Sequence, residues 1–204
     1  MTNTGITAFT EPQKAYAFDE VFDSQKVFRL VLEASANPGR RVDLAPLAAK
    51  MFGESAGFLA LSMTFLDNEQ SFCTCGDESL AGQIASLTLS EKTGPEQADF
   101  IFVKTEAALA GAVEKAKGGT LKDPHKSATL IVALSHGLTE GTRTTLAGPG
   151  IDGALTLTLP ETVRRALALR DDRFFEYPQG IDFWFLDPDH QLLALPRLVK
   201  REEH

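Results

Sequence analysis

Two patterns of apolar residues alternate along this chain. Apolar positions at helical spacing predict four amphipathic helices, and one wholly apolar run predicts a buried helix. In chain order the first helix begins at about 23 or 24 and ends at 36, and the others cover 53–67, 77–89, 106–119 and 160–172. Shorter apolar or alternating runs, bounded by turn residues, predict strands at 40–44, 71–75, 98–105, 127–135, 142–148, 153–159, 181–187 and 191–197. This order favours an α/β fold with a mixed β-sheet between helical layers (α/β/α), ending in an antiparallel hairpin.

The 204 residues fit one domain, because no linker, repeat or low-complexity tract divides them. Residues 1–17 are polar and irregular and predict an N-terminal arm, which leaves residues 18–204 as a single α/β domain. No apolar run is long enough to span a membrane, and no secretory signal is evident. We therefore expect a cytoplasmic protein whose two cysteines, Cys73 and Cys75, are free thiols.

The charge of the chain narrows the range of partners. Its net charge is −8, and it has no basic patch of the kind that phosphate backbones require, so a nucleic-acid partner is not expected. The four histidines are scattered without the spacing of metal ligands, so no metal site is predicted.

The segment TTLAGPGIDGAL, at 144–155, is rich in glycine and suggests either a phosphate-binding loop or a bend between strands. A P-loop requires a Lys followed by Ser or Thr, and then a helix. Here Gly148, Gly150 and Gly153 are followed by a strand pattern instead. We therefore predict a strand-to-strand bend, in which the glycines adopt positive φ and Pro149 fixes the turn.

Asp182 and Arg197 are the most informative charged residues. They lie at similar distances from the tip of the C-terminal hairpin, so antiparallel pairing brings them together. They form either a structural ion pair or a charge pair that lines a ligand cleft. Arg29, on the first helix, is either a solvated residue or the partner of a carboxylate or phosphate. The aromatic stretch at 174–178 either caps the core or anchors an interface.

Four segments, taken together, resemble one known family. They are FRLVLEASANPG (28–39), AGPGI (147–151), YPQGIDFWFLD (177–187) and LLALPR (192–197). Their order and spacing resemble the PhnH family of the bacterial carbon–phosphorus lyase system over nearly the whole chain. The motif positions that carry the resemblance are Pro38, Gly39, Gly148, Pro149, Gly150, Pro178 and Gly180. Tyr177 stands where phenylalanine is usual in the family, and Leu198 and Val199 stand where small hydroxyl residues are usual.

The resemblance implies a role in the breakdown of organophosphonates. Members of the family work in a core complex with the G-, I- and J-type subunits of the system, and tend to form homodimers. With the G and I types and an accessory L-type protein, the assembly is associated with the transfer that forms ribose 1-phosphonate 5-triphosphate from ATP and phosphonate. The J-type protein, a radical-SAM iron–sulfur protein, later breaks the carbon–phosphorus bond.

The resemblance also implies the fold of the large domain of PLP-dependent transferases, without its cofactor. We therefore expect no cofactor in this chain and no activity from the isolated protein, although it supports a transferase assembly. The catalytic residues are not assigned by the sequence.

Two alternative functions remain open. The first is a freestanding PLP-transferase-like enzyme, for which Lys104, after the strand at 98–105, would be the Schiff-base lysine. No glycine and serine cluster for the cofactor phosphate accompanies this lysine. The second alternative is a small phosphate-ligand binding protein whose cleft uses Asp182 and Arg197.

Overall fold

The structure is a computed structural model that describes residues 16–202. The predicted N-terminal arm, residues 1–17, lies outside these residues except for its last two. The helices of the described part are α1 (Phe22–Ala36), α2 (Ala45–Ala48), α3 (Ala56–Phe65), α4 (Glu78–Thr88), α5 (Glu106–Lys115) and α6 (Glu161–Asp171). Its strands are β1 (Arg41–Asp43), β2 (Ser71–Cys73), β3 (Glu91–Lys92), β4 (Phe100–Val103), β5 (Thr129–Ala133), β6 (Thr142–Ala147), β7 (Leu155–Leu159), β8 (Asp182–Leu186), β9 (Gln191–Leu195) and β10 (Lys200–Arg201).

The main sheet contains seven strands in the order β1-β9-β8-β5-β4-β2-β3. From β8 to β3 the neighbouring strands are parallel, whereas β9 is antiparallel to both β8 and β1. These pairings confirm the predicted α/β fold with a mixed sheet and a C-terminal hairpin. Strands β10, β6 and β7 form a separate antiparallel sheet, which the sequence pattern did not distinguish from the main one.

Side chains of the central strands alternate between two hydrophobic cores. In β5, Leu130 and Val132 enter one core and Ile131 enters the other. Helices α1 to α4 cover the core that contains Ile131, while α5, α6 and the small sheet cover the opposite core. Because the central strands are buried on both faces, their sequences are continuous apolar runs.

Helix α1 begins at Phe22, before the predicted N-cap Ser24. The Asp19 carboxylate accepts hydrogen bonds from the backbone N–H groups of Val21 (2.9 Å) and Phe22 (2.7 Å), so it satisfies the free donors of the first turn. Asp23 is 1% exposed, and its carboxylate receives the Lys50 ammonium at 2.7 Å. The hydrogen bond from Lys50, followed by that from the Asp19 backbone, holds the pKa of Asp23 well below its usual value.

None of the helices in the described part of the chain combines the length and the apolar character that a membrane span requires.

Candidate functional site

The segments that the sequence analysis singled out meet at the amino edge of the parallel strands. Asp182 is the first residue of β8 and pairs in register with Thr129, the first residue of β5. In the antiparallel hairpin, Phe183 lies opposite Leu195, which brings the chain after β9 back beside Asp182. The prediction that the hairpin unites Asp182 and Arg197 is therefore confirmed.

Asp182 and Arg197 form a multiply hydrogen-bonded ion pair. Asp182 Oδ1 accepts from the Arg197 backbone N–H at 2.7 Å and from its Nε at 3.2 Å, and Asp182 Oδ2 accepts from Arg197 Nη2 at 2.5 Å. Arg197 Nη1 donates to the backbone carbonyl of Pro124. Each side chain of the pair is 20% exposed. Each of the three nitrogens of the Arg197 guanidinium thus donates to a group of the chain itself, although the pair also borders a cavity.

The glycine-rich segment is the connection between β6 and β7, as predicted. Gly148, Gly150 and Gly153 all have positive φ, which confirms the strand-to-strand bend. At Gly150, with φ +84°, an added Cβ would lie 2.8 Å from the Ala36 carbonyl oxygen and 2.7 Å from Pro38 Cδ. The loop therefore packs against the end of α1, and this close approach requires glycine.

The same close packing joins the YPQGID and LPR segments. An added Cβ at Gly180 would lie 2.8 Å from Arg197 Cβ, and one at Gly148 would lie 2.6 Å from the Leu198 carbonyl oxygen. The peptide bond between Tyr177 and Pro178 is cis. Residues that are far apart in the sequence therefore converge around Arg197.

A groove of about 320 Å³ opens beside this cluster, and it is termed the arginine groove below. It is lined by Pro149, Arg170, Asp171, Arg173, Phe175, Tyr177, Gln179, Arg197, Leu198 and Lys200. Four of these side chains are cationic and one is acidic. A second cavity of about 380 Å³ shares Pro149, Arg197 and Leu198 with the groove and is also lined by Asp182 and His125.

Arg170 is a functional candidate that the sequence analysis missed. It is 3% exposed, donates to the backbone carbonyls of Pro196 (3.2 Å) and Val199, and lies 5.5 Å from the centroid of the Phe183 ring. Burial lowers the pKa of its guanidinium, which nevertheless stays protonated. The available signal was helical spacing, because Arg170 follows Ala166 by four residues on the apolar face of α6.

Arg173 and Phe175 form the other wall of the groove. Arg173 Nη1 donates to the carbonyls of Val113 and Ala116 at the end of α5, and its guanidinium lies 4.5 Å from the centroid of the Phe175 ring. Burial lowers the pKa of Arg173 as well. Within the aromatic stretch, Phe175 packs against the core, while Phe174 is 92% exposed and Tyr177 is 77% exposed.

Arg29 is not part of this cluster. It lines a separate cavity of about 450 Å³ between α1 and α2, together with Lys26, Asp43 and Lys50. The structure thus brings together Asp182, Arg197 and the Gly-Pro-Gly loop, but it leaves Arg29 in the opposite helical layer.

Lys104 lies at the opposite, carboxyl edge of the sheet, directly after β4. Its Nζ is 3.6 Å from Asp77 Oδ2, and Asp77 Oδ1 also accepts from the Leu80 backbone N–H at the start of α4. Among the described residues, Lys104 and Asp77 are the only charged ones that line the small cavity beside them, of about 260 Å³. PLP needs a Schiff-base lysine, a separate acid for the pyridine nitrogen and donors for its phosphate, and this small cavity has no acid, within the described part of the chain, besides the one paired with Lys104, so it does not fit the cofactor. Lys104 also lines a neighbouring cavity of about 270 Å³ that includes Glu54 and Asp187.

The remaining candidate groups are possible metal ligands and the two cysteine thiols. Among residues 16–202, no cluster of three or more His, Cys, Asp or Glu side chains is arranged to hold a metal ion. Cys73 and Cys75 are free thiols, as predicted. The hydrogen bond from the Cys75 thiol lowers the pKa of Cys73 to about 6, and the same bond raises the pKa of Cys75.

Comparison with known proteins gives two matches that span the described residues. The family model of the bacterial phosphonate metabolism protein (PhnH) matches residues 16–202. The chain is also 30% identical, over 204 residues, to the alpha-D-ribose 1-methylphosphonate 5-triphosphate synthase subunit PhnH of Rhizobium meliloti (strain 1021). That similarity covers 97% of this chain and 99% of the relative.

Proposed function

The chain belongs to the PhnH family of bacterial phosphonate metabolism proteins, and from this premise we propose that it is a subunit of a carbon–phosphorus lyase core complex. In that complex it supports the formation of ribose 1-phosphonate 5-triphosphate from ATP and phosphonate, and it has no activity alone. The observation that carries the proposal is the match to the Rhizobium meliloti synthase subunit over nearly the full length of both chains.

Exposed apolar side chains supply the contact surfaces that a subunit needs. Phe28 and Leu32, one turn apart on α1, and Val21 and Phe22 at its start are each between 48% and 71% exposed, and these four residues are termed the α1 stripe. An apolar stripe on a single helix can pair with its own copy about a two-fold axis, so we assign it to a homodimer. Phe174, outside the α1 stripe, is the anchor that we assign to the G-, I- or J-type subunits.

We further infer that this chain is a cofactor-free relative of the PLP-transferase large domain and works in the cytoplasm. The mostly parallel sheet between helical layers supports the relationship of the folds. The pairing of Lys104 with Asp77 supports the loss of the cofactor, and the free thiols suit a reducing compartment.

Co-expression tests the proposal. A tagged form of this chain is produced together with the G-, I- and J-type subunits, and the mixture is analysed by affinity purification and size-exclusion chromatography with light scattering. We expect one stable complex, and we expect an otherwise complete assembly to lose formation of the ribose phosphonate when this chain is omitted. Failure of the partner subunits to co-purify would contradict the proposal.

Two charge substitutions locate the contacts. Phe28→Glu should convert the isolated chain from dimer to monomer, and Phe174→Glu should leave the dimer intact but weaken capture of the partner subunits. Leu121→Glu is the matched control, because Leu121 is 53% exposed but lies outside both surfaces. A dimer that survives Phe28→Glu would contradict the assignment of the α1 stripe.

A further inference from the structure

The arginine groove carries a local positive charge on a chain whose net charge is −8. Four cationic side chains line it, against the single lining carboxylate of Asp171. Asp171 already interacts with two arginines, Arg170 at 3.8 Å and Arg201 at 3.3 Å. Of the four lining cations, Arg197 has a carboxylate of its own, that of Asp182 behind it.

Of the other two lining arginines, Arg170 shares the Asp171 carboxylate with Arg201, and Arg173 has no carboxylate within ion-pair distance among the described residues. Arg170 and Arg173 both donate to backbone carbonyls, which satisfy N–H groups but carry no formal charge. Lys200 pairs through its backbone with Ala147, but its side-chain ammonium makes no hydrogen bond or ion pair with any residue of the part of the chain that the structure describes. The groove therefore holds more positive than negative charge in a partly enclosed space, where an anion is bound more strongly than at an open surface.

The walls of the groove also restrict the kind of anion. Its volume of about 320 Å³ accommodates a group larger than a single simple ion. Tyr177 at its rim is 77% exposed and presents an aromatic ring on which a planar base can stack. Gln179, whose amide donates to the Gly119 carbonyl, adds a polar group to the lining.

We propose that the arginine groove is a binding site for phosphate or phosphonate oxyanions, in which Lys200 contacts the oxyanion directly and Tyr177 stacks on an attached base. Arg170 and Arg173 act as fixed charges behind it. The identity of the molecule that bears the oxyanion rests on the proposed function, under which ATP or a ribose triphosphate is the expected class of ligand. Oxyanion binding itself depends only on the groove.

Isothermal titration of the isolated chain tests this site with three probes: sodium tripolyphosphate, methylphosphonate and ATP. We expect saturable binding that is tightest for the two polyphosphates. Lys200→Glu should weaken tripolyphosphate binding by about tenfold or more, because it replaces a charge-assisted contact with repulsion. Tyr177→Leu should weaken the binding of ATP but leave that of tripolyphosphate unchanged.

Arg29→Glu is the matched control, since it makes the same change of charge on an exposed residue in the opposite layer. Unchanged affinity in this variant supports the groove as the site. Absence of saturable binding by the wild-type chain, or equal weakening by Lys200→Glu and Arg29→Glu, would overturn the proposal.

Co-purification separates this proposal from the proposed function. Lys200→Glu should still assemble with the partner subunits, since Lys200 lies in neither of the assigned contact surfaces, but the resulting complex should be slower at low substrate concentration. A chain that binds tripolyphosphate but fails to capture the subunits would overturn the proposed function alone. A chain that assembles but binds no oxyanion would overturn this site alone.

Discussion

Removal of the Asp182 carboxylate should lower the free energy of unfolding several times more than removal of a surface carboxylate. The Asp182→Ala substitution deletes the acceptor of three hydrogen bonds, all of them from Arg197. It also leaves the Arg197 guanidinium, which is only 20% exposed, without its charged partner. The pair connects the start of β8 to the segment that follows β9, so its loss loosens one end of the hairpin.

The magnitude follows from the burial of the pair. Breaking a fully buried ion pair by removing one partner costs ~3–5 kcal/mol, whereas an exposed pair contributes ~0.2–1 kcal/mol. This pair is close to the buried limit, but Arg197 keeps its bond to the Pro124 carbonyl and some contact with water. We therefore expect Asp182→Ala to lower the free energy of unfolding by about 2–3 kcal/mol, or roughly 4–12 °C in Tm for a chain of this size.

Urea unfolding, followed by tryptophan fluorescence, measures this loss. Trp184 is the single tryptophan, lies two residues from Asp182 and is 9% exposed, so its emission reports on the same strand. The control is Glu33→Ala, which removes an exposed pair with Arg40 and should cost less than about 1 kcal/mol. A double-mutant cycle with Arg197→Ala isolates the coupling between the two side chains. A loss for Asp182→Ala below about 1 kcal/mol, or simple additivity in the cycle, would refute the reasoning.

Three further predictions concern other parts of the chain. Gly150→Ala should lower Tm more than Gly153→Ala, because both positions have positive φ but only the first meets other atoms within 4 Å; equal losses would contradict the close approach. The pKa of Asp23 is lower in the folded state than in the unfolded state. The Asp23 carboxylate therefore stabilises the fold fully at pH values above its ordinary pKa of 3.8, and this stabilisation is lost as the pH falls from 3.8 towards the folded-state pKa. Unfolding free energies measured as pH falls should therefore decline more steeply for the wild type than for Asp23→Asn, and parallel curves would contradict this. Cys75→Ala should raise the pKa of Cys73, because the hydrogen bond from the Cys75 thiol is lost while burial remains; thiolate absorbance against pH measures this, and an unchanged titration would count against the thiol pair.

The sequence predicted the central strands because burial on both faces produces long apolar runs. It did not predict α2, β3 or β10, which are two to four residues long and too short to show a period. The helix start was misplaced because Ser24 is a good N-cap residue, whereas the donors are satisfied from outside the helix by Asp19. The helix propensity of residues within the helix contains no information about a hydrogen bond from a residue outside it.

The part of the candidate site that lies within one hairpin could be predicted from the sequence. The part that several elements form together could not. Asp182 and Arg197 are related by the register of adjacent strands, so counting residues from the tip was sufficient. Arg173 enters the groove from the turn after α6, and Lys200 enters it from an edge strand of the small sheet, so their meeting depends on how separate elements pack. No periodicity within one segment carries that information.

The burial of Arg170 has a consequence for how the arginine groove would respond to ionic strength. Mobile ions screen charges that face water, with a Debye length of about 8 Å at physiological ionic strength, but they screen buried charges much less. Lys200 faces water, whereas Arg170 is 3% exposed. Added salt should therefore weaken the contribution of Lys200 first, and the attraction that remains at high salt should come mainly from the Arg170 guanidinium, which is almost wholly shielded from solvent.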